Sequence, residues 1–457
     1  MKKQVREAMS EYPITRHDEC THRTQRREFL KSVGLQGVGL QGVGASLSGW
    51  RQPADGAAPP QREGAGQRKT RIMMCVDYND MVASNEELFD EELIDRFFSL
   101  CAAKRIERVY WRVSATGNVL YQSQVRTVFC KGPTTWRKGH GAKLRQILSR
   151  CDPLEVAVRL ARKHGLEIYP WVTIFDDGKE VMQSQFSRDH PQYLWLSRDQ
   201  KTRIDGVLCY FYPEVISHRL AQVRELLAYG VDGLLLSTRS HSRGDGGNQY
   251  GFNAPAVQRY RERYGTDPLR VNEAEFQKHH SVRFHRILGE QLTGFLSVVA
   301  AEMGKAKLQL AVPRGATLGY PLGPMELNYP LWARRRLIDG LLVGAMEWIQ
   351  VEPIPGFPYQ SVADSSRNPE FWNQWYIDHY QRACGPQVEV AHWLRLWGWL
   401  GTYRTQGMLD PWVGTVKRPA ELRSLIDCLR QSRVDGVALF EAASLNFDKA
   451  LWDALLA

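Results

Sequence analysis

From Arg71 onward, short runs of β-branched and aromatic residues alternate with longer amphipathic stretches, the pattern of parallel strands joined by crossover helices. The strand-like runs are RIMMCVDYND from Arg71, ERVYWRVSA from Glu107, LEIYPWVTIF from Leu166 and DGLLLSTRS from Asp232. They continue with LQLAVPRG from Leu308, DGLLVGAMEW from Asp339, VEVAHWLRLW from Val388 and DGVALFEAAS from Asp435. Eight such runs predict an α/β fold closed as a (β/α)8 TIM barrel. A doubly wound open sheet is disfavoured, because no G-x-G-x-x-G follows the first run.

Between the runs, DPLEVAVRLARKHG from Asp152 reads as a helix with an Asp-Pro start and a Gly stop, and SHRLAQVRELLAYG from Ser217 as another. Three strands open on Asp-Gly: Asp232-Gly233, Asp339-Gly340 and Asp435-Gly436. These aspartates fall at the N-terminal, stability face of a barrel and read as turn or cap residues. Residues 71–457 exceed a minimal barrel, and the excess follows strands, at 114–150, 176–215, 240–280 and 348–387. Long insertions on the C-terminal face are therefore expected, shaping a deep groove for an extended ligand.

Composition narrows the partners. With 43% apolar and 24% charged residues among 457, the chain can bury a large core. The formal charge is +10, but residues 1–70 contribute half of it, Arg outnumbers Lys 44 to 16, and no run of five basic residues occurs. Nucleic acid is thus not an expected partner. The eight cysteines show neither C-x-x-C nor regular spacing, so they read as small core residues and not as a disulfide framework.

The N-terminus reads RTQRREFLKSVGLQGVGLQGVGASLSG, with Arg26-Arg27 ahead of Phe29-Leu30-Lys31 and a Gly-rich, uncharged stretch. It resembles a twin-arginine translocation signal, with Gln25 where Ser or Thr is usual. The resemblance implies a signal over 1–50, the twin-arginine translocase as partner, and an exported, periplasmic or extracellular protein. The stretch from Ser32 to Trp50 holds six Gly and two Gln, so no stable membrane anchor is expected. Residues 51–70, rich in Gly, Pro and charge, read as a linker to a single barrel over 71–457.

The segment from His190 to Ser242 carries His190-Pro191, Tyr193, Asp199, Pro213-Glu214-Val215, Arg224-Glu225-Leu226 and Tyr229-Gly230-Val231-Asp232-Gly233. With GFNAPAVQRYRERYGTDPLRVN from Gly251, it resembles the glycoside-hydrolase-like barrels of bacterial carbohydrate metabolism, the glycosyl hydrolase-like 10 family, and the beta-galactosidase-type barrels. That resemblance implies a polysaccharide or oligosaccharide substrate and hydrolysis by a carboxylate pair. It also implies an acid at the end of strand four, where this chain has Ser237-Thr238-Arg239-Ser240-His241. Either the pair has moved to other strands, or the barrel binds sugar without cutting it.

Strand ends supply the remaining carboxyl groups. Glu347 ends strand six and Glu441 ends strand eight, and these are the expected acid and nucleophile or base. Asp77 ends strand one and reads as a hydroxyl ligand or an Arg partner, while Asp176-Asp177 before Gly178 reads equally as a loop turn. Arg112, Arg239, His241, Arg314 and Arg395 also end strands and could bind anionic sugars or neutralise the barrel's own acids. Trp111, Trp397 and Trp399 are platform candidates for sugar rings, with Trp171, Trp348 and Trp393 also on strands. No metal, nucleotide or serine-nucleophile motif occurs, so neither cofactor nor metal is expected, and His279-His280 with His285 read as a solvated helix face.

Overall fold

A computed structural model describes residues 69–129, 139–240, 242, 249–313, 315–318, 325–344, 369–396, 418–431 and 433–455. Eight parallel strands close into a barrel: β1 (Arg71–Val76), β2 (Arg108–Arg112), β3 (Glu167–Thr173), β4 (Gly233–Ser237), β5 (Lys307–Val312), β6 (Gly340–Val343), β7 (Glu389–Arg395) and β8 (Gly436–Phe440). All eight coincide with the runs read from the sequence. Closure pairs β1 with β8 in the register Arg71 to Gly436 through Cys75 to Phe440. Because each strand is covered on both faces, the runs are almost continuously apolar.

The predicted helix from Asp152 forms as Pro153–His164. Asp152 caps it, accepting from the Leu154 amide at 2.9 Å, and Gly165 ends it in the left-handed region. The helix expected from Ser217 begins earlier, at Pro213, and runs to Ala228. Proline at the first helical position needs no amide partner, which explains the earlier start. Asp232, Asp339 and Asp435 act as strand caps: their Oδ2 atoms accept from the amides of Ile168, Leu308 and Val390 at 2.8 to 2.9 Å. Each aspartate thereby ties the start of its strand to the strand before it.

Two cores result. Outside the barrel wall, helices pack on the strands; Trp111 lies there, wholly buried, 5.1 Å from Tyr78 and 5.8 Å from Phe98 by ring centroids. Inside the wall, Met73, Cys75, Leu235, Ala311, Leu342, Ala391 and Ala438 alternate with the large rings of Tyr110, Tyr169, Trp171, Trp393 and Phe440. Alanines on β5, β7 and β8 leave room for those rings, the small-to-large complementarity of a filled barrel.

The insertions after β2, β3 and β4 are present as expected, while residues 348–368 of the fourth, expected at 348–387, lie outside the described residues. They include hairpins pairing Ser114–Ala115 with Asn118–Val119 and Leu194–Leu196 with Arg203–Leu208, and a helix at Ala254–Tyr264. The first two insertions interlock where Gly117, Gly178 and Gly206 meet. Gly178 and Gly206 both have positive φ, and a Cβ on either would strike backbone, of Met182 and of Gly178 respectively. His280 corrects the solvated reading of the His279-His280 pair: it is buried, with its Nδ1 2.7 Å from the Tyr260 hydroxyl. The helix turns by an extra residue at Phe276–His280, which carries His280 to the buried side. Among the described residues no disulfide forms, and Cys75, Cys101, Cys209, Cys384 and Cys428 are buried thiols. No helix among them is long and apolar enough to cross a membrane.

Candidate active site

The barrel interior is polar at its N-terminal end and aromatic higher up. Arg108 plugs the lower end, donating to Glu167 at 2.6 Å and Glu389 at 3.0 Å beneath the Tyr169 ring, while the Tyr110 hydroxyl lies 2.6 Å from Gln309. Above the small middle layer, Trp171 meets Trp393 edge to face at 5.4 Å and Phe440 at 6.0 Å. These rings form a floor beneath the C-terminal mouth, where barrel chemistry is built.

Charged groups converge on that floor. Asp77 follows β1 directly, Asp80 lies in the first turn of the next helix, Tyr78–Ser84, and Glu441 follows β8 directly. Since β1 and β8 are neighbours in the closed barrel, residues far apart in sequence become adjacent. One carboxylate oxygen from each of the three lies within 4.8 Å of the others. Asp77 and Glu441 are buried, whereas Asp80 is partly exposed.

Two guanidinium groups balance them. Arg112, at the end of β2, is 1% exposed; it donates to Asp77 Oδ2 and lies 5.3 Å from the Trp171 ring centroid. Asn79 donates to the other oxygen of Asp77 at 2.8 Å. Arg239, just past β4, lies 5.3 Å from the Phe440 ring centroid. Burial and the like charge of Arg112 lower the Arg239 pKa, against the opposing pull of Asp77, Glu441 and Asp80. Burial first, then Glu441 and Asp77, push the Cys75 thiol well above its usual range, which removes it as a thiolate nucleophile. Three converging carboxylates have the spacing to surround one cation, but Arg112 and Arg239 already place positive charge there. The donor set therefore suits organic substrate chemistry better than a resident metal.

A second buried cluster supports the mouth on the β3 side. Asp177, fully buried, accepts from Arg126, from Arg219 at 2.9 Å and from Ser184. Burial alone would raise its pKa, but Arg126, Arg219 and Ser184 hold the carboxyl well below the usual range. His218 packs flat on Phe186 at 3.9 Å and 2.7 Å from Arg126; burial and the two arginines hold its pKa down at about 3. This set locks the insertion that follows β3 and corrects the loop-turn reading of Asp177.

The structure thus brings together Glu441, Asp77, Arg112 and Arg239 of the residues named from sequence, and adds Asp80 and Asn79. Those two were legible only as neighbours of Asp77 in the run CVDYND. Trp111 is not a platform at the mouth, because its ring packs outside the barrel wall. Trp171 and Trp393 face inward instead. Arg395 ends β7 in register with Phe440. Glu347, His241, Arg314, Trp348, Trp397 and Trp399 lie outside the described residues.

The chain is similar in fold to solved structures that include glycoside hydrolases. The chain is similar to the PgaB (BpsB) glycoside hydrolase domain from Bordetella bronchiseptica, at 13% identity and TM-score 0.54, covering 85% of this chain and 99% of that one. It is similar also to the catalytic domain of beta-amylase from Paenibacillus polymyxa, at 9% identity and TM-score 0.50, with 85% and 95% covered. The alpha-L-fucosidase isoenzyme 2 from Paenibacillus thiaminolyticus matches at 12% identity and TM-score 0.50, over 85% of this chain but 48% of that longer one. No protein-family model and no curated protein matches the chain. At such identities the likeness is one of fold, and the site must carry any statement about chemistry.

Proposed function

We propose that the protein is an exported glycoside hydrolase that cleaves a polysaccharide or oligosaccharide with Glu441 and Asp80 as its carboxyl pair. The observation that carries this is the convergence of the Asp77, Asp80 and Glu441 oxygens within 4.8 Å at the barrel mouth. Retaining glycosidases hold their two carboxyls about 5 to 5.5 Å apart and inverting ones about 6.5 to 9.5 Å, so this spacing supports retention. Asp80, partly exposed, can exchange protons with solvent and is the acid that protonates the glycosidic oxygen. Glu441 attacks the anomeric carbon as the leaving alcohol departs; water then displaces Glu441, giving its proton to Asp80.

The test is a hydrolysis screen of the full chain against neutral and anionic polysaccharides, with the anomeric configuration of the first product read by proton NMR. Retention is expected, and inversion would remove the Asp80–Glu441 pairing. Glu347→Gln is run in parallel, because Glu347 is the partner expected from the sequence. The second reading, a carbohydrate-binding barrel without catalysis, is favoured by Arg239 standing where the resemblance implies an acid. Binding without hydrolysis would select it. For export, replacing Arg26 and Arg27 together by Lys should leave the precursor in the cytoplasm; unchanged delivery to the periplasm or medium would end the twin-arginine assignment.

A further inference from the structure

Resting on that reading of the site, we propose that Arg112 is its positioning residue: wedged between Asp77 and Trp171, it keeps Asp77 as the permanently ionised member and leaves the exchangeable proton to Asp80 and Glu441. The geometry supports each part. Arg112 and Asp77 are each 1% exposed and directly paired, so neither is free to bind an anionic sugar. The second oxygen of Asp77 is held by Asn79 at 2.8 Å, so both carboxylate oxygens are fixed in acceptor roles. The guanidinium also lies against the Trp171 ring, and that ring packs on Trp393 and Phe440, so its position is set by the aromatic floor.

Among the described residues, the groups facing Asp77 are Arg112 from β2, Arg239 after β4, Glu441 after β8, Asp80 and Asn79 from the adjoining helix, and Cys75 from β1. Among the described residues, two guanidinium charges against three carboxyls leave the cluster balanced when one carboxyl holds a proton. Asp77, paired with Arg112 and hydrogen-bonded on both oxygens, is the member of the three least suited to hold that proton.

The experiment compares wild type, Arg112→Gln and Arg112→Lys as full chains, folding being checked by circular dichroism. Carbon-13 NMR titration of the Asp77 side-chain carboxyl needs no activity and separates this inference from the hydrolase reading. In Arg112→Gln the Asp77 titration should rise by at least one pH unit, since the carboxylate loses its paired cation. In Arg112→Lys it should return most of the way. If hydrolysis is found, kcat should fall in Arg112→Gln by about 10- to 100-fold with KM nearly unchanged, and the acidic limb of the pH profile should move upward. An unmoved Asp77 titration would overturn the proposal even in an active enzyme. A shifted titration in a protein that hydrolyses nothing would uphold the charge assignment and remove only the hydrolase reading. Should Arg112→Gln fail to fold, the wild-type titration decides: an Asp77 carboxyl that titrates well below the ordinary carboxylate range upholds the proposal, and one at or above that range overturns it.

Discussion

On the proposed mechanism, Glu441→Gln is expected to lower hydrolysis by about a thousandfold or more while leaving the barrel folded, because the amide can neither attack the anomeric carbon nor exchange a proton. The side chain follows β8 directly and lies with Asp77 and Asp80, so its loss removes the carboxyl that two of the three mouth groups face. Steady-state kinetics on the substrate found in the screen measures the effect. KM should change little, since Glu441 is buried and in the proposed reaction acts at the anomeric carbon. Activity retained within about tenfold would assign the chemistry elsewhere and point back to Glu347.

Asp177→Ala should produce the largest loss of stability. It strands Arg126 and Arg219, both almost fully buried, with their shared carboxylate gone. Removing one partner of such a buried cluster costs on the order of 3 to 5 kcal/mol, read as a lower denaturant midpoint. Its pH dependence has a definite sign. The folded-state pKa lies below the ordinary value of 3.8, so the ionised Asp177 contributes stability that is fully present above 3.8. That contribution is lost as pH falls from 3.8 toward the folded-state value. The stability gap between wild type and Asp177→Asn should therefore narrow as the pH drops below about 4. A gap that widens on acidification would contradict the ion-pair account.

The strand positions, the helix from Asp152 and the roles of Asp232, Asp339 and Asp435 were legible in the sequence because each depends on local pattern: an apolar run, an Asp-Pro cap or an Asp-Gly start. Side-chain facing was not. Trp111 and Trp171 both sit on strands, yet one packs outside the wall and the other inside it, since successive strand residues alternate and only closure says which face is the lumen. The same alternation puts Arg112 beside Asp77, while the extra residue in the helical turn at Phe276–His280 hides His280 against Tyr260.

By itself the sequence determined the eight-stranded barrel, the location of its insertions and Glu441 as a strand-end acid, because those follow from periodicity and from which residues end each run. Tertiary structure alone decided that Asp80 joins Glu441, that Arg112 belongs to Asp77, and that Asp177 anchors two arginines. Each of these depends on pairing β1 with β8 or with β2, or on folding the insertions and the helix after them against one another, which brings together residues that the sequence separates by tens to hundreds of positions.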